Sequence, residues 1–362
     1  MLTFKTTKLQ EMVSKAFKGV GNNKLKPITE LISLRLTGGL FTLTTTDGDN
    51  YMYITESVEN DGDFYAVVQA NQFARLVSKI TSEDVSLSVE NNCLEVYCNG
   101  NYKIPVEIDA STGTIVEYTD PVAKLQYSEN EKIGAITVQD ISTILRALKP
   151  ALATTLEIPQ YVNYYVGDVV LATDTNMASC YKKAITSTPV LVSAVAMDML
   201  SVYTGTNALS IYKVSNRLLF KGDNFILFGY AMPGVDEFAV ESINMFVETQ
   251  HPSMCKIPKQ TILQALDRLS LFVSDFDEDK IGTDFTSEGL RLSSKQSDSI
   301  EVVPYTSADN LQEMKSCMYL NMLSSHIKAQ TGDSIDIHFG EPNSIKLVDD
   351  ACDVTSVICL VV

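Results

Sequence analysis

One alternating apolar pattern occurs three times in this chain. Asp84-Val-Ser-Leu-Ser-Val, Ala208-Leu-Ser-Ile-Tyr and Ser334-Ile-Asp-Ile-His-Phe align Val85 with Leu209 and Ile335, and Leu87 with Ile211 and Ile337, at offsets of 124 and 126 residues. Each is preceded by a helix-like segment in the same register: Phe73, Leu76 and Ile80, then Met197, Leu200 and Thr204, then Leu323, His326 and Gln330. A period this long exceeds any solenoid repeat and matches a whole domain. The pattern predicts an α+β chain of three tandem copies of one domain, each with two helices packed on antiparallel sheets.

The finer pattern predicts that a helix opens each copy, a pair of strands follows, a second helix comes next and strands close it. The opening helices carry the i, i+3, i+4, i+7 stripe: Leu9, Met12, Val13, Ala16 and Phe17; Ile141, Ile144, Leu145 and Leu148; Ile262, Leu263, Leu266 and Leu269. Pro258, Lys259 and Gln260 suit a first helical turn. Strands ending in turn signals are expected at Leu40–Gly48, Val169–Asp174 and Leu290–Ser294. Asp120 to Lys132 and Thr249 to Ser253 lack periodicity. Domains are therefore expected at 1–125, 126–248 and 249–362.

Catalytic constellations are scarce. The three histidines, His251, His326 and His338, have no carboxylate or cysteine at ligand spacing. Asp275, Asp277 and Asp279 imitate the start of a calcium loop, but Lys280 stands where that loop needs Gly and Thr286 where it needs Glu. A solvated acidic loop is expected there. Gly19-Val-Gly21 fits neither the P-loop nor the dinucleotide fingerprint, and Pro27 blocks an immediate helix. No Gly-x-Ser-x-Gly elbow occurs. The seven cysteines suggest neither a disulfide framework nor a metal site, so free thiols are expected. No run of 18 apolar residues occurs, and the start lacks an apolar signal core. The expectation is a cytoplasmic, non-catalytic protein without cofactor, metal or membrane.

A net charge of −17 argues against nucleic acid until the positions of the cations are considered. Screening acts over roughly 8 Å at physiological salt, so a basic patch can act apart from an acidic surface elsewhere. Lys8, Lys15 and Lys18 fall on one side of the first helix, and Arg75 and Lys79 share a face of the second. Arg146 and Lys149 mark the middle copy, Lys259, Arg268 and Lys328 the last, and Lys24 and Lys26 the Gly-rich loop. A solvated helix face accounts for any one of them. Repeated helices lining one concave surface would instead follow a phosphate backbone without reading sequence. The helix near Ala196 to Thr204 has no Lys or Arg and carries Asp198, so the lining is patchy.

Pro27-Ile-Thr-Glu-Leu-Ile-Ser-Leu-Arg-Leu-Thr-Gly-Gly-Leu-Phe-Thr-Leu-Thr-Thr-Thr-Asp47 resembles the first-domain segment of the bacterial DNA polymerase III beta subunit, the sliding clamp. Ala172-Thr-Asp174 resembles its second-domain counterpart, and Asp84 to Val96 resembles the family's second helix-to-hairpin passage. The resemblance spans the chain in order. It implies a head-to-tail homodimer whose domains close a ring around double-stranded DNA, with helices inside and sheets outside. The matching interface positions are Tyr102, Ile104 and Val106 with Leu271 and Phe272, although the last two would also suit a core. The family's peptide pocket, which receives polymerase and clamp-loader segments, would involve Val162, Thr173, Thr175, Met177, Phe246, Met322, Pro342, Ser344, Val357, Cys359 and Leu360. Thr175-Asn-Met-Ala178 replaces the usual Gly-His-Arg-Leu, and Cys359-Leu-Val-Val362 replaces the usual Met-Pro-Met-Arg-Leu. These departures are those of a divergent clamp, of the kind a phage or mobile element carries.

The implied function is a processivity factor that tethers the replicative polymerase and other replication and repair proteins. The rival is a non-enzymatic structural or adhesive protein of tandem β-rich domains, such as a virion component. A hydrolase using carboxylates such as Asp275 or Asp277 is a third class.

Overall fold

A computed structural model describes residues 1–59, 62–273, 279–294, 297–340 and 343–361. Asp275, Asp277 and Pro342 lie outside the described residues. The order strand, helix, four strands, helix, three strands runs along the chain three times. The first pass comprises β1 (Leu2–Lys5), α1 (Thr6–Phe17), β2 (Leu31–Thr37), β3 (Leu40–Thr46), β4 (Tyr51–Ser57), β5 (Phe64–Gln69), α2 (Ala70–Val77), β6 (Asp84–Glu90), β7 (Cys93–Tyr97) and β8 (Asn101–Pro105). The second comprises β9 (Lys132–Ile136), α3 (Val138–Thr143), β10 (Asn163–Val166), β11 (Val170–Thr173), β12 (Met177–Tyr181), β13 (Val190–Ser193), α4 (Ala194–Leu200), β14 (Leu209–Val214), β15 (Arg217–Lys221) and β16 (Phe225–Tyr230). A connecting helix, α5 (Val240–Glu248), follows. The third comprises β17 (Ser253–Pro258), α6 (Lys259–Ser270), β18 (Lys280–Thr286), β19 (Gly289–Ser294), β20 (Ile300–Val303), an extra β21 (Ser307–Asp309), β22 (Cys317–Tyr319), α7 (Leu320–Ala329), β23 (Ser334–Phe339), β24 (Ser344–Asp349) and β25 (Val354–Cys359).

The strands that share one alternating pattern, β6, β14 and β23, hold the same place in their half-sheets. The strand orders are β1-β6-β7-β8, β9-β14-β15-β16 and β17-β23-β24-β25. The other halves run β5-β2-β3-β4, β13-β10-β11-β12 and β22-β18-β19-β20. All pairings are antiparallel. One rule joins the halves: the last strand of one pass pairs with the fourth strand of the pass before it. β16 pairs β4 through Phe225↔Ile54 to Phe228↔Tyr51. β25 pairs β12 through Met177↔Ile358 to Tyr181↔Val354.

These seams explain why the chain forms two compact units, Met1–Val138 with Val195–Ala231, and Gln139–Ala194 with Met232–Val362. The repeat and the compact unit are different divisions of the chain, because each seam fuses strands from successive passes. In the first unit the α1 stripe Leu9, Met12, Val13 and Ala16 is buried with Phe73 and Val77 of α2. Each of these side chains except Ala16 contributes roughly 1.5–3 kcal/mol of transfer free energy. Thr45 Oγ1 donates at 2.8 Å to the Ala16 carbonyl at the end of α1, which also accepts from the Gly19 amide at 3.0 Å. In the second unit Ile262, Ala265, Leu266 and Leu269 of α6 are buried, and Phe285 stacks on Phe339 with centroids 3.9 Å apart.

Several expectations need correction. A strand, not a helix, opens each pass: β1, β9 and β17 are short, β1 and β17 bury alternate residues and β9 buries only Ile136. Four strands rather than two separate the helices, plus β21 in the last pass. The second-pass opening helix does not run on as α-helix; it passes into a π turn, Ile144–Leu148, then a 3-10 turn, Lys149–Ala151. Pro258 ends β17 in an extended conformation, and α6 starts after it. Pro27 opens a 3-10 turn, Pro27–Glu30, as its fixed φ permits. All seven cysteines are free.

Candidate functional site

Three groups of residues carry the functional expectations, and the fold places each differently. The first is a pair of open sheet edges. β4 and β12 are joined to β16 and β25, but among the described residues their counterpart β20 and the remaining closing strand β8 have no partner at the same position. On β8, Tyr102 is 44% exposed while Ile104 is buried, as is Val106 just beyond the strand. On β20, Ile300 and Val302 are 49% and 47% exposed. Leu271 and Phe272, at the end of α6, are 79% and 47% exposed, so they are not core residues. Ser294 Oγ donates to the Phe272 carbonyl at 2.6 Å, tying this apolar pair to β19 beside the open edge. Ile300 and Val302 went unread in the sequence, where only their alternation with Glu301 signals a strand.

The edges differ in charge. Lys103 of β8 meets Glu95 at 2.7 Å. Glu301 of β20 accepts two bonds from Arg268, at 2.8 and 2.6 Å, and this pairing holds its carboxyl below the usual range.

The second group is the set of helix cations, which fall into two kinds. Lys8 lies 2.8 Å from Glu56, and Lys15 lies 2.6 Å from Glu11. Lys26 is 3.9 Å from Asp49. Arg146 turns toward Asp349 at 3.5 Å and donates to Cys352 Sγ at 3.1 Å. Lys259 donates to the carbonyls of Lys328 and Gln330, so it caps α7. Arg268 is committed to Glu301. Lys18, Lys24, Arg75, Lys79, Lys149 and Lys328 are exposed. Arg75 borders a groove between α1 and α2 with Gln10, Phe17 and Asn71, and Lys328 borders its counterpart between α6 and α7 with Gln264 and Asn321.

The third group gathers around the β11–β12 turn. Thr173 Oγ1 donates to the Met177 carbonyl and accepts from the Thr175 amide, while Asp174 Oδ1 accepts from the amides of Asn176 and Met177. The β3–β4 turn repeats this network: Thr46 with Asn50 and Gly48, and Asp47 with Asp49 and Asn50. Both turns need a left-handed residue at the same point. Gly48 supplies it at φ +103°, Thr175 at φ +82°.

Strand pairing brings Thr173, Met177, Ser344, Val357 and Cys359 onto adjacent strands, with Ser344 opposite Cys359. Thr173, Met177, Ser344 and Val357 are buried, and Cys359 and Leu360 are half-buried. Phe246, on α5, packs against the cluster that contains Val357, Ala178 and Cys180. Val162 and Met322 stand on other elements, the 3-10 turn Pro159–Val162 and α7. Burial raises the Asp174 carboxyl against the pull of its amide donors, and burial with Asp174 raises the Cys359 thiol. In the first unit the places of Ser344 and Cys359 are taken by Arg217 and Tyr230, which pair in the same way. There the Arg217 guanidinium lies 3.3 Å from the Tyr230 ring centroid and donates to the Asp49 carbonyl. A stacked arginine and tyrosine occupy in the first unit the positions that serine and cysteine hold in the second.

Residues 1–118 match the family described as the N-terminal domain of the DNA polymerase III beta subunit. The Bacillus subtilis DNA polymerase sliding clamp superposes with a TM-score of 0.81 at 17% identity, covering 100% of this chain and 98% of that one. The beta subunit of Borrelia burgdorferi, solved in complex with a natural product, gives 0.84 at 14% identity over 100% and 99%. That of Thermotoga maritima gives 0.83 at 13% over 100% and 99%. No curated protein matches by sequence. The chain therefore has the sliding-clamp fold along its whole length, and its first 118 residues match the DNA polymerase III beta N-terminal domain family.

Proposed function

We propose that the chain is a DNA sliding clamp: a non-catalytic processivity factor that closes head to tail with a second copy around duplex DNA. The observation that carries this reading is the seam rule. Applied once more, it pairs β20 of one copy with β8 of another, and two such contacts close a two-fold ring. The same step covers Leu271, Phe272, Ile300 and Val302. The exposed cations Lys18, Lys24, Arg75, Lys79, Lys149 and Lys328 then meet phosphates without reading sequence.

The partner groove lies at the β11–β12 turn, over Thr173, Thr175, Met177, Ser344, Val357, Cys359 and Leu360, with Phe246 at its side. Its occupant is a short linear peptide from a polymerase or a clamp loader, held by apolar anchors. The three-domain division at 125 and 248 belongs to this reading, with each domain contributing two helices to the inner wall.

Light scattering tests the core of the proposal. The native chain is expected at twice its monomer mass, and Phe272→Asp combined with Ile300→Asp is expected to run as a folded monomer. The native protein should extend synthesis by its cognate polymerase on primed circular DNA, and the monomeric variant should not. A native chain that stays monomeric at micromolar concentration sinks the reading.

A further inference from the structure

The α1 lysines expected to meet DNA do not present free charge. Lys8 Nζ lies 2.8 Å from Glu56 Oε2 on β4. Lys15 Nζ lies 2.6 Å from Glu11 Oε1, one helical turn earlier, and also donates to Thr204 Oγ1 at 2.8 Å. All of these side chains line one cavity of about 240 Å³, bounded by α1, β4, residues 202–206 and the β15–β16 turn. Asp223 joins the lining, so two lysines face three carboxylates and the wall carries a net charge of −1. The sequence pattern placed a basic lining here; the structure neutralises it.

Stability does not explain the arrangement. An exposed Glu–Lys pair at i, i+4 contributes only about 0.3–0.5 kcal/mol. Glu56 and Lys8 remain partly open to solvent, with side chains 25% and 38% exposed, which keeps their pair in the same weak class. Their effect on a polyanion is larger. Each lysine that neutralises a phosphate changes the slope of log affinity against log salt by about 0.9. Each such contact must also break whenever a ring advances along the duplex.

We propose that Glu11 and Glu56 are charge-damping residues, which hold Lys15 and Lys8 in internal ion pairs so that this wall passes a phosphate backbone without gripping it. The inference rests on the clamp reading. Lys15 holds the Glu11 carboxyl below the usual carboxylate range, so it remains charged at neutral pH. The donor of each pair stays on its helix, and the acceptor occupies the hydrogens that a phosphate would otherwise take. The ring is retained by closure, and these pairs set its friction.

The test uses the full chain with Glu11→Gln and Glu56→Gln combined, amides that keep the shape and remove the charge. Binding to a short duplex is followed by fluorescence anisotropy across a salt series, and diffusion along DNA is followed by single-molecule tracking. The expected result is a salt slope steeper by up to about 1.8 per protomer and slower diffusion. Lys8→Gln with Lys15→Gln should change the native slope little, yet cancel the gain in the doubly amidated background. The inference is overturned if the glutamate variant leaves the slope unchanged. It is equally overturned if removing the lysines from the native chain already lowers the slope by the full two-charge amount. Thermal melting of each variant keeps misfolding apart from these outcomes, since surface changes of this kind stay within about 0.5 kcal/mol. A dimer by light scattering with an unchanged slope defeats only this inference. A monomer defeats the clamp reading itself.

Discussion

Thr175 is a β-branched residue held at φ +82°, in a turn whose first-unit counterpart uses glycine at φ +103°. Replacing it with glycine isolates the cost of that choice. A left-handed conformation costs a non-glycine residue roughly 1–2 kcal/mol. Glycine returns about 0.5–1 kcal/mol of that through the greater freedom of the unfolded chain. The hydrogen bonds of the turn come from the Thr175 amide and from Thr173 and Asp174, so the substitution leaves them intact. Thr175→Gly should therefore stabilise the second unit by about 0.5–1 kcal/mol, or about 1–4 °C in melting temperature for a unit of this size. The reciprocal change, Gly48→Thr, should destabilise the first unit by at least about 1 kcal/mol. A β-carbon there also meets Lys26 Cδ at 3.1 Å and Nζ at 3.2 Å, which a flexible lysine can yield. Differential scanning calorimetry of both variants checks the pair. If Thr175→Gly lowers the melting temperature, or Gly48→Thr is neutral, the claim that one turn recurs with one conformational demand is wrong.

Two further outcomes follow from buried groups. Asp140 is fully buried and accepts from Tyr181 Oη at 2.7 Å and from the half-exposed Lys183 Nζ at 2.6 Å, so Asp140→Ala, which strands the Tyr181 hydroxyl while Lys183 turns to water, should cost about 1–3 kcal/mol, measurable by urea unfolding. Burial, with Lys346 and His338 nearby, pushes His251 down to about 4, and burial also lowers His326 and His338. The unfolded chain then binds these protons first, so stability is complete above the unfolded histidine value near 6.5 and falls as pH drops toward 4. For His251, still partly reached by solvent, the loss is about 1–2 kcal/mol, and His251→Asn should flatten the melting profile across that window.

Periodicity made part of this fold readable. β6 and β23 alternate because one face is buried and the other is not, β14 does so up to the register shift between Ile211 and Tyr212, and α1 and α6 carry full helical stripes. The opening strands escaped because they are short and disguised: β17 buries Ser253, Cys255 and Ile257, of which only the last reads as a strand core. The π turn at Ile144–Leu148 leaves an apolar stripe that ordinary helix would also produce. The turn residues Thr173 and Asp174 were legible through their motif, as was the spacing of Glu11 to Lys15. The pairing of Lys8 with Glu56 was not, because it joins a helix to a strand more than forty residues away. Nor could residue type decide Leu271 and Phe272, which continue the pattern of α6 beyond its last turn and differ from core residues only in what stands opposite them.

A tail-to-head seam has no internal stop. β16 on β4 and β25 on β12 are the same joint made twice, and nothing in the joint counts how many have been made. Whether a third joint closes a circle or starts a fibre depends on the angle between successive sheets, so a bulge or a bulky residue at a seam acts as a change of curvature. In a ring closed as proposed, a substitution there that leaves every protomer folded would convert discrete particles into filaments, and electron microscopy would register the difference before any spectroscopic signal of folding changed.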